Sequence, residues 1–251
     1  MHNRLTQLNV KVFADGADIA GIRALRQDPI VKGFTTNPTL MRQAGISDYE
    51  AFAHEVLSVV PDLPISFEVF SDDFDEMYAQ ARQIASWGDN VYVKIPITNT
   101  EGASAGPLVR TLSREGVKLN VTAILTLEQV DLSMDALAGG SPAYVSVFAG
   151  RIADTGRDPV PVMTSAVAAL SQEPQVELIW ASPRELLNIF QADQIGCHVI
   201  TVTHEMLKKL STVGRDLEQF SLETVRMFRR DAVAAGFQLT PERAAVSALA
   251  N

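Results

Sequence analysis

The chain has 251 residues, 47% hydrophobic and 20% charged, with a formal net charge of −9, a pI of about 4.9 and a mean hydropathy of +0.08. This is the balance of a soluble globular protein, and it excludes the basic footprint that gathers nucleic acid. No apolar run reaches the ~18 residues needed to cross a bilayer, and a single cysteine, Cys197, excludes an internal disulfide.

The opening MHNRLTQLN lacks the charged-then-apolar pattern of a signal peptide. With one cysteine in the chain, a reducing cytoplasm is the expected setting. The first strand-like run is VKVFAD (Val10–Asp15), followed by Ile19, Ile22 and Leu25 at helical spacing. GFTTN (Gly33–Asn37) is the second run, and Tyr49, Phe52, Val56 and Val59 form the stripe after it. ISFEVF (Ile65–Phe70) precedes a helix marked by Phe74, Met77, Tyr78, Ala81, Ile84 and Ala85. VYVKIP (Val91–Pro96), LNVTAI (Leu119–Ile124), YVSVF (Tyr144–Phe148), ELIWAS (Glu177–Ser182) and HVITVT (His198–Thr203) complete the strands. Apolar stripes over 108–112, 127–137, 162–170, 186–190 and 206–210 lie between and after them. Ser47, Ser71 and Thr126 are expected helix caps, Ser47 with Glu50 and Thr126 with Gln129 at capping-box spacing.

Near-continuous apolar strands alternating eight times with helices predict one (β/α)8 barrel of parallel strands spanning 1–251. The tail 212–251 holds more helix than closure requires. Leu217–Ala235 carries an apolar face of Leu222, Val225, Phe228 and Ala232, expected to lie on its own barrel or on a neighbouring copy. Cys197 falls in a strand-like run and is assigned to the core, and His198 and His204 receive no role.

In such a barrel the chemistry gathers at the carboxyl ends of the strands. Those ends carry Asp15, Thr35, Asn37, Glu68, Lys94, Asn120, Thr122, Ser146 and Ser182, with Arg151 and Arg184 just beyond. A lysine inside an apolar run escapes the cost of burial by losing its proton, by snorkelling, or by pairing with a carboxylate. Uncharged, Lys94 would be a nucleophile able to form a Schiff base with a carbonyl substrate. Asp15 and Glu68 would move protons, and Thr122 would hold a water between Glu68 and the imine carbon. Asn37 and Asn120 offer amides to substrate hydroxyls, while Arg151, Ser182 and Arg184 suit a terminal phosphate. Asp15-Gly16 and Thr36-Asn37-Pro38 are also ordinary turn pairs, and Arg184 has nearby carboxylates to pair with. The sequence has no HExxH, GxSxG, Walker or GxGxxG motif and no metal-spaced Cys/His cluster, so neither metal nor nucleotide cofactor is expected.

The segments GFTTNPTL, VYVKIPIT, LNVTAI, VFAGRIAD and ASPRE, in this order, resemble the transaldolase and fructose-6-phosphate aldolase family, as does SLETVRMF in the tail. The resemblance implies a Schiff-base lysine on the fourth strand, where Lys94 falls, and Asp15 assisting carbon–carbon cleavage. It implies that Asn37 and Asn120 contact a dihydroxyacetone moiety, that Ser146 lines that pocket, and that Arg151, Ser182 and Arg184 meet the acceptor phosphate. Homo-oligomers, pentamers or decamers, are also implied. Glu68 and Phe148 match the transaldolase branch, where the aldolase branch carries glutamine and tyrosine. Val147 departs from a proline found in many relatives. The expected activity is transfer of a dihydroxyacetone unit between sugar phosphates. The rivals are an aldolase releasing dihydroxyacetone and a non-catalytic sugar-phosphate-binding barrel.

Overall fold

A computed structural model describes residues 5–239. The described residues fall into two compact units, one of residues 5–211 and one of residues 212–239. In the first, strand and helix alternate: β1 (Lys11–Asp15), α1 (Ile19–Leu25), β2 (Val31–Thr35), α2 (Pro38–Gln43), α3 (Tyr49–Val59), β3 (Ile65–Glu68), α4 (Phe74–Ala85) and β4 (Val91–Pro96). Then come α5 (Gly106–Arg114), β5 (Leu119–Ile124), α6 (Leu127–Leu137), β6 (Ala143–Val147), α7 (Ala149–Asp154), α8 (Val160–Leu170), β7 (Val176–Trp180), α9 (Leu187–Gln194), β8 (Val199–Thr203) and α10 (His204–Lys208). The strands pair in chain order, and β8 returns to β1 with parallel register, closing the barrel.

The two faces of this one sheet serve two cores. Val12, Phe34, Phe67, Val93, Val121, Val145, Leu178 and Ile200 pack with helix residues such as Ile22, Phe52, Met77 and Val109 in the larger cluster. Phe13, Tyr144, Ile179 and Val199 form a separate cluster, with Tyr92 against it. This split follows from the period-two alternation of side chains along each strand. Gly33 makes room for that inner plug, because a Cβ there would sit 2.6 Å from the Phe13 ring. Tyr92 and Tyr144 stack at 4.4 Å, and Lys11 pairs with Glu177 at 2.6 Å on the amino-terminal side.

Three local expectations need correction. Ser47 and Ser71 do not cap their helices: Asp48 accepts from Ala51 N, and Asp73 accepts from Asp75 N and Glu76 N. Aspartate is at least as good a cap as serine, and the Ser71 hydroxyl instead donates to Glu76 Oε2 at 2.6 Å. The Thr126–Gln129 capping box is present. The second strand stops at Thr35, short of the expected Asn37, because Asn37 caps α2 and Pro38 opens it. An additional helix, α2, therefore stands before the predicted stripe of α3.

In the second unit, Asp216 caps α11 (Leu217–Ala234), matching the expected tail helix to within one residue. Leu222, Val225 and Phe228 on its apolar face are exposed. The part of the 212–251 tail beyond residue 239 lies outside the described residues.

Candidate active site

Glu68, Lys94 and Asn120 stand level on β3, β4 and β5. Lys94 is buried at 7% exposure, with Nζ 2.9 Å from Glu68 Oε2 and donating to the Thr36 carbonyl at 3.0 Å. Of the three ways expected for a lysine in this run to offset burial, the geometry shows pairing with a carboxylate. Burying an ammonium alone is costly, and the carboxylate one strand away offsets that cost. Across 2.9 Å the same carboxylate is within reach to take the amine's proton.

Asp15, at the end of β1, accepts a hydrogen bond from Thr35 Oγ1 at 2.8 Å. Thr35 Oγ1 lies 2.6 Å from Thr201 Oγ1, and because Thr35 spends its one proton on Asp15, Thr201 is the donor there. Burial raises the Asp15 pKa above the ordinary carboxylate value, with Lys94 and Thr35 opposing the rise and Glu68 adding to it. Asp15 thus holds a proton more readily than a surface aspartate, beside a lysine and a second carboxylate.

A second polar chain runs across the barrel. Ser146 Oγ donates to Asn120 Oδ1 at 2.7 Å, and Asn120 Nδ2 donates to Ser66 Oγ at 3.0 Å. Asn120 and Ser146 are both buried. Thr122 is also buried, and its Oγ1 is among the buried polar atoms without a hydrogen-bond partner. Ala123 beside it adopts φ 63°, where the β5–β6 register shifts between Val121 and Ile124. A left-handed alanine is a strained position, and such positions cluster at functional sites. The bulge re-aims the strand next to the orphan hydroxyl.

The remaining candidates lie on the loops after β6 and β7, except Asn37, which follows β2. Phe148 opens α7 and packs against the inner plug, with the Arg151 guanidinium 5.6 Å from its ring centroid. Ser182 adopts φ 55°. Arg184 is exposed and engages Asp154 through both Nε and Nη2, so its charge is already paired. Asn37 caps α2 by accepting from Leu40 N at 3.0 Å, which commits its oxygen to the turn. Gly150 ties the two loops together: its N–H donates to the Ala181 carbonyl at 3.3 Å, and a Cβ would meet the Ser182 carbonyl oxygen at 1.5 Å.

Sequence reasoning missed Ser66, Thr201, Gly150, Tyr49 and the Thr36 carbonyl. Ser66 and Thr201 carried the same signal as the residues that were found, a hydroxyl interrupting an apolar strand. Gly150 and the Thr36 carbonyl carried none, since a backbone approach leaves no trace in composition. Tyr49 was counted only as a member of the α3 stripe, although its hydroxyl reaches the backbone of Glu68. Cys197, assigned to the core, is buried, and burial pushes its thiol up to about 12.

The family model described as Transaldolase/Fructose-6-phosphate aldolase matches residues 12–240. A protein of Streptococcus equi subsp. zooepidemicus named "Probable transaldolase" is 38% identical over 203 residues, covering 80% of this chain and 90% of its own length. One of the same name from Dehalococcoides mccartyi is 37% identical over 202 residues, with the same two shares covered. Among solved structures, KGPDC from Streptococcus mutans superposes with a TM-score of 0.54 at 12% identity, covering 79% of this chain and 89% of that one. The truncated 3-deoxy-D-arabino-heptulosonate 7-phosphate synthase of Thermotoga maritima gives 0.52 at 14% identity, covering 92% and 89%. At such identities these two likenesses concern the barrel alone, whereas the sequence matches go further: the chain belongs to the transaldolase/fructose-6-phosphate aldolase family.

Proposed function

We propose that the protein is a cofactor-independent transaldolase, moving a dihydroxyacetone unit from a ketose phosphate to an aldose phosphate through a Schiff base on Lys94. The observation that carries the proposal is the buried Lys94 Nζ held 2.9 Å from Glu68 inside the barrel, beside an Asp15 whose pKa burial raises. Glu68 takes the ammonium proton, and the free amine attacks the donor ketone carbon. Carbinolamine loses water to the imine with a proton returned through Glu68 and a water held at the unpartnered Thr122 hydroxyl. Asp15, ionised at this step, takes the proton of the C4 hydroxyl as the C3–C4 bond breaks, and the first aldose leaves. The enamine left on Lys94 adds to the second aldehyde, Asp15 returns its proton to the new hydroxyl, and water hydrolyses the imine. Holding these groups in one mouth converts several encounters into intramolecular steps.

Phe148 supports transfer over release. No phenol stands at that position to protonate the enamine, so the intermediate survives until an aldehyde arrives. Arg151, which stacks on Phe148, would meet the acceptor phosphate, with Arg184 joining it by exchanging Asp154 for the phosphate. The exposed apolar row of α11, Leu222, Val225 and Phe228, supports assembly with further copies of the chain. Deletion of 217–251 should then shift the species seen by size-exclusion chromatography.

Sodium borohydride reduction in the presence of fructose 6-phosphate tests the chemistry. The expected result is a mass increase of one reduced three-carbon adduct on the wild type and none on Lys94→Ala. Steady release of dihydroxyacetone without acceptor, as fast as transfer with it, would favour the aldolase; ligand binding with no adduct would favour a silent binding protein.

A further inference from the structure

The β2–β3 ladder runs regularly up to the site and then changes partners. Phe34 N donates to the Pro64 carbonyl and Thr36 N to the Ser66 carbonyl, two residues further on each strand. In a parallel ladder the next rungs would join Glu68 N–H to the Thr36 carbonyl, and the N–H of residue 38 to the Glu68 carbonyl. Neither forms. The Thr36 carbonyl is taken by Lys94 Nζ at 3.0 Å, and residue 38 is proline, which has no N–H to give. Both polar groups of the Glu68 peptide would be orphaned inside the protein, at a cost the fold rarely tolerates.

The Tyr49 hydroxyl fills both vacancies. It accepts from Glu68 N at 2.8 Å and donates to the Glu68 carbonyl at 2.7 Å. Its ring, on the first turn of α3, packs edge-on against Phe67 at 6.4 Å and Phe70 at 5.6 Å, and lies 5.7 Å from Trp87. Burial raises the phenol well above its ordinary pKa, which keeps the donated proton in place.

We infer that Tyr49 is a positioning residue for the Glu68–Lys94 pair: by closing both ends of the Glu68 peptide it holds that carboxylate beside the amine and releases the Thr36 carbonyl to Lys94. The inference rests on the Schiff-base reading for its effect on turnover but not for its effect on the amine. Tyr49→Phe removes one oxygen and leaves the ring packing. Glu68 N–H then competes for the Thr36 carbonyl, and Lys94 loses an acceptor.

The experiment compares wild type, Tyr49→Phe, Glu68→Gln and the double variant as full chains, reading two quantities on protein shown by circular dichroism to be folded. The first is the rate at which acetic anhydride acetylates Lys94 at fixed pH, followed by peptide mass; the second is kcat and KM for transfer from fructose 6-phosphate. Tyr49→Phe should change Lys94 acetylation at least about threefold and lower kcat about tenfold with KM little altered, the scale expected when a reacting group is slightly misplaced. In the Glu68→Gln background both effects should shrink, since Tyr49 acts through that residue. A lowered Tm with unchanged acetylation and unchanged kcat would overturn the inference and leave Tyr49 as packing only. Full additivity with Glu68→Gln would overturn it as well. If Tyr49→Phe does not fold, 3,5-difluorotyrosine incorporated at position 49 keeps the shape while weakening the acceptor, and the same acetylation criterion applies. Should the wild type give no borohydride adduct, the transaldolase reading fails, while the acetylation comparison still decides the role of Tyr49.

Discussion

Gly150→Ala is a severe perturbation delivered by one methyl group. The added Cβ would lie 1.5 Å from the Ser182 carbonyl oxygen, and real Cβ contacts essentially never fall below 3.0 Å, so the separation must double. The obstacle is backbone, not a side chain that can swing aside, and it is already fixed by the Gly150 N–H to Ala181 carbonyl bond. The loops after β6 and β7 must therefore part by an ångström or more, carrying Arg151 one way and Ser182 with Arg184 the other. Overpacking of this kind costs about 1–3 kcal/mol of stability. A misplacement of about 1 Å in a binding constellation costs about 100-fold in rate. The assay is transfer to glyceraldehyde 3-phosphate and to unphosphorylated glyceraldehyde by the same variant, with the borohydride adduct on Lys94 as control. The expected pattern is a large loss with the phosphorylated acceptor, a small loss with the neutral one, and an adduct still formed. Wild-type Tm together with a wild-type KM for the phosphorylated acceptor would refute the reasoning from contact distance.

Thr122→Val keeps the shape and deletes a hydroxyl that has no protein partner, so stability should hold or rise by about 1 kcal/mol while adduct formation slows; a clear drop in Tm would show that the hydroxyl has a structural bond. Asp15 binds its proton more tightly folded than unfolded, so its stabilising contribution is complete in acid and is lost as pH rises through the folded pKa. Asp15→Asn should accordingly raise Tm relative to wild type at about pH 8, with the gain fading towards about pH 4. A constant difference across that range contradicts the sign. Cys197, with its thiol raised to about 12 and buried, should react with a maleimide only as fast as the protein unfolds. Labelling within minutes under native conditions at neutral pH would argue against that burial.

The barrel was legible because eight apolar runs cannot be buried on both faces in many other ways. Lys94, Glu68, Asp15 and Asn120 were legible because polar groups inside such runs need a reason. What stayed hidden depends on distances between strands. The pairing of Lys94 with Glu68 requires that β3 and β4 stand level, and composition does not carry register. Thr201 and Ser66 looked like ordinary strand hydroxyls until their partners on β2 and β5 were in view. Asp48 and Asp73 displaced the expected serine caps by one and two residues, a shift below the reach of pattern.

The inner plug of Phe13, Tyr144, Ile179 and Val199 fills the barrel interior with buried side chains, so under the proposed transfer donor and acceptor sugars would share one doorway. Under that reading a first product would have to depart before the second aldehyde could enter. Such traffic calls for double-displacement kinetics: parallel lines in reciprocal plots, with each sugar at high concentration competing against the other for the same vestibule.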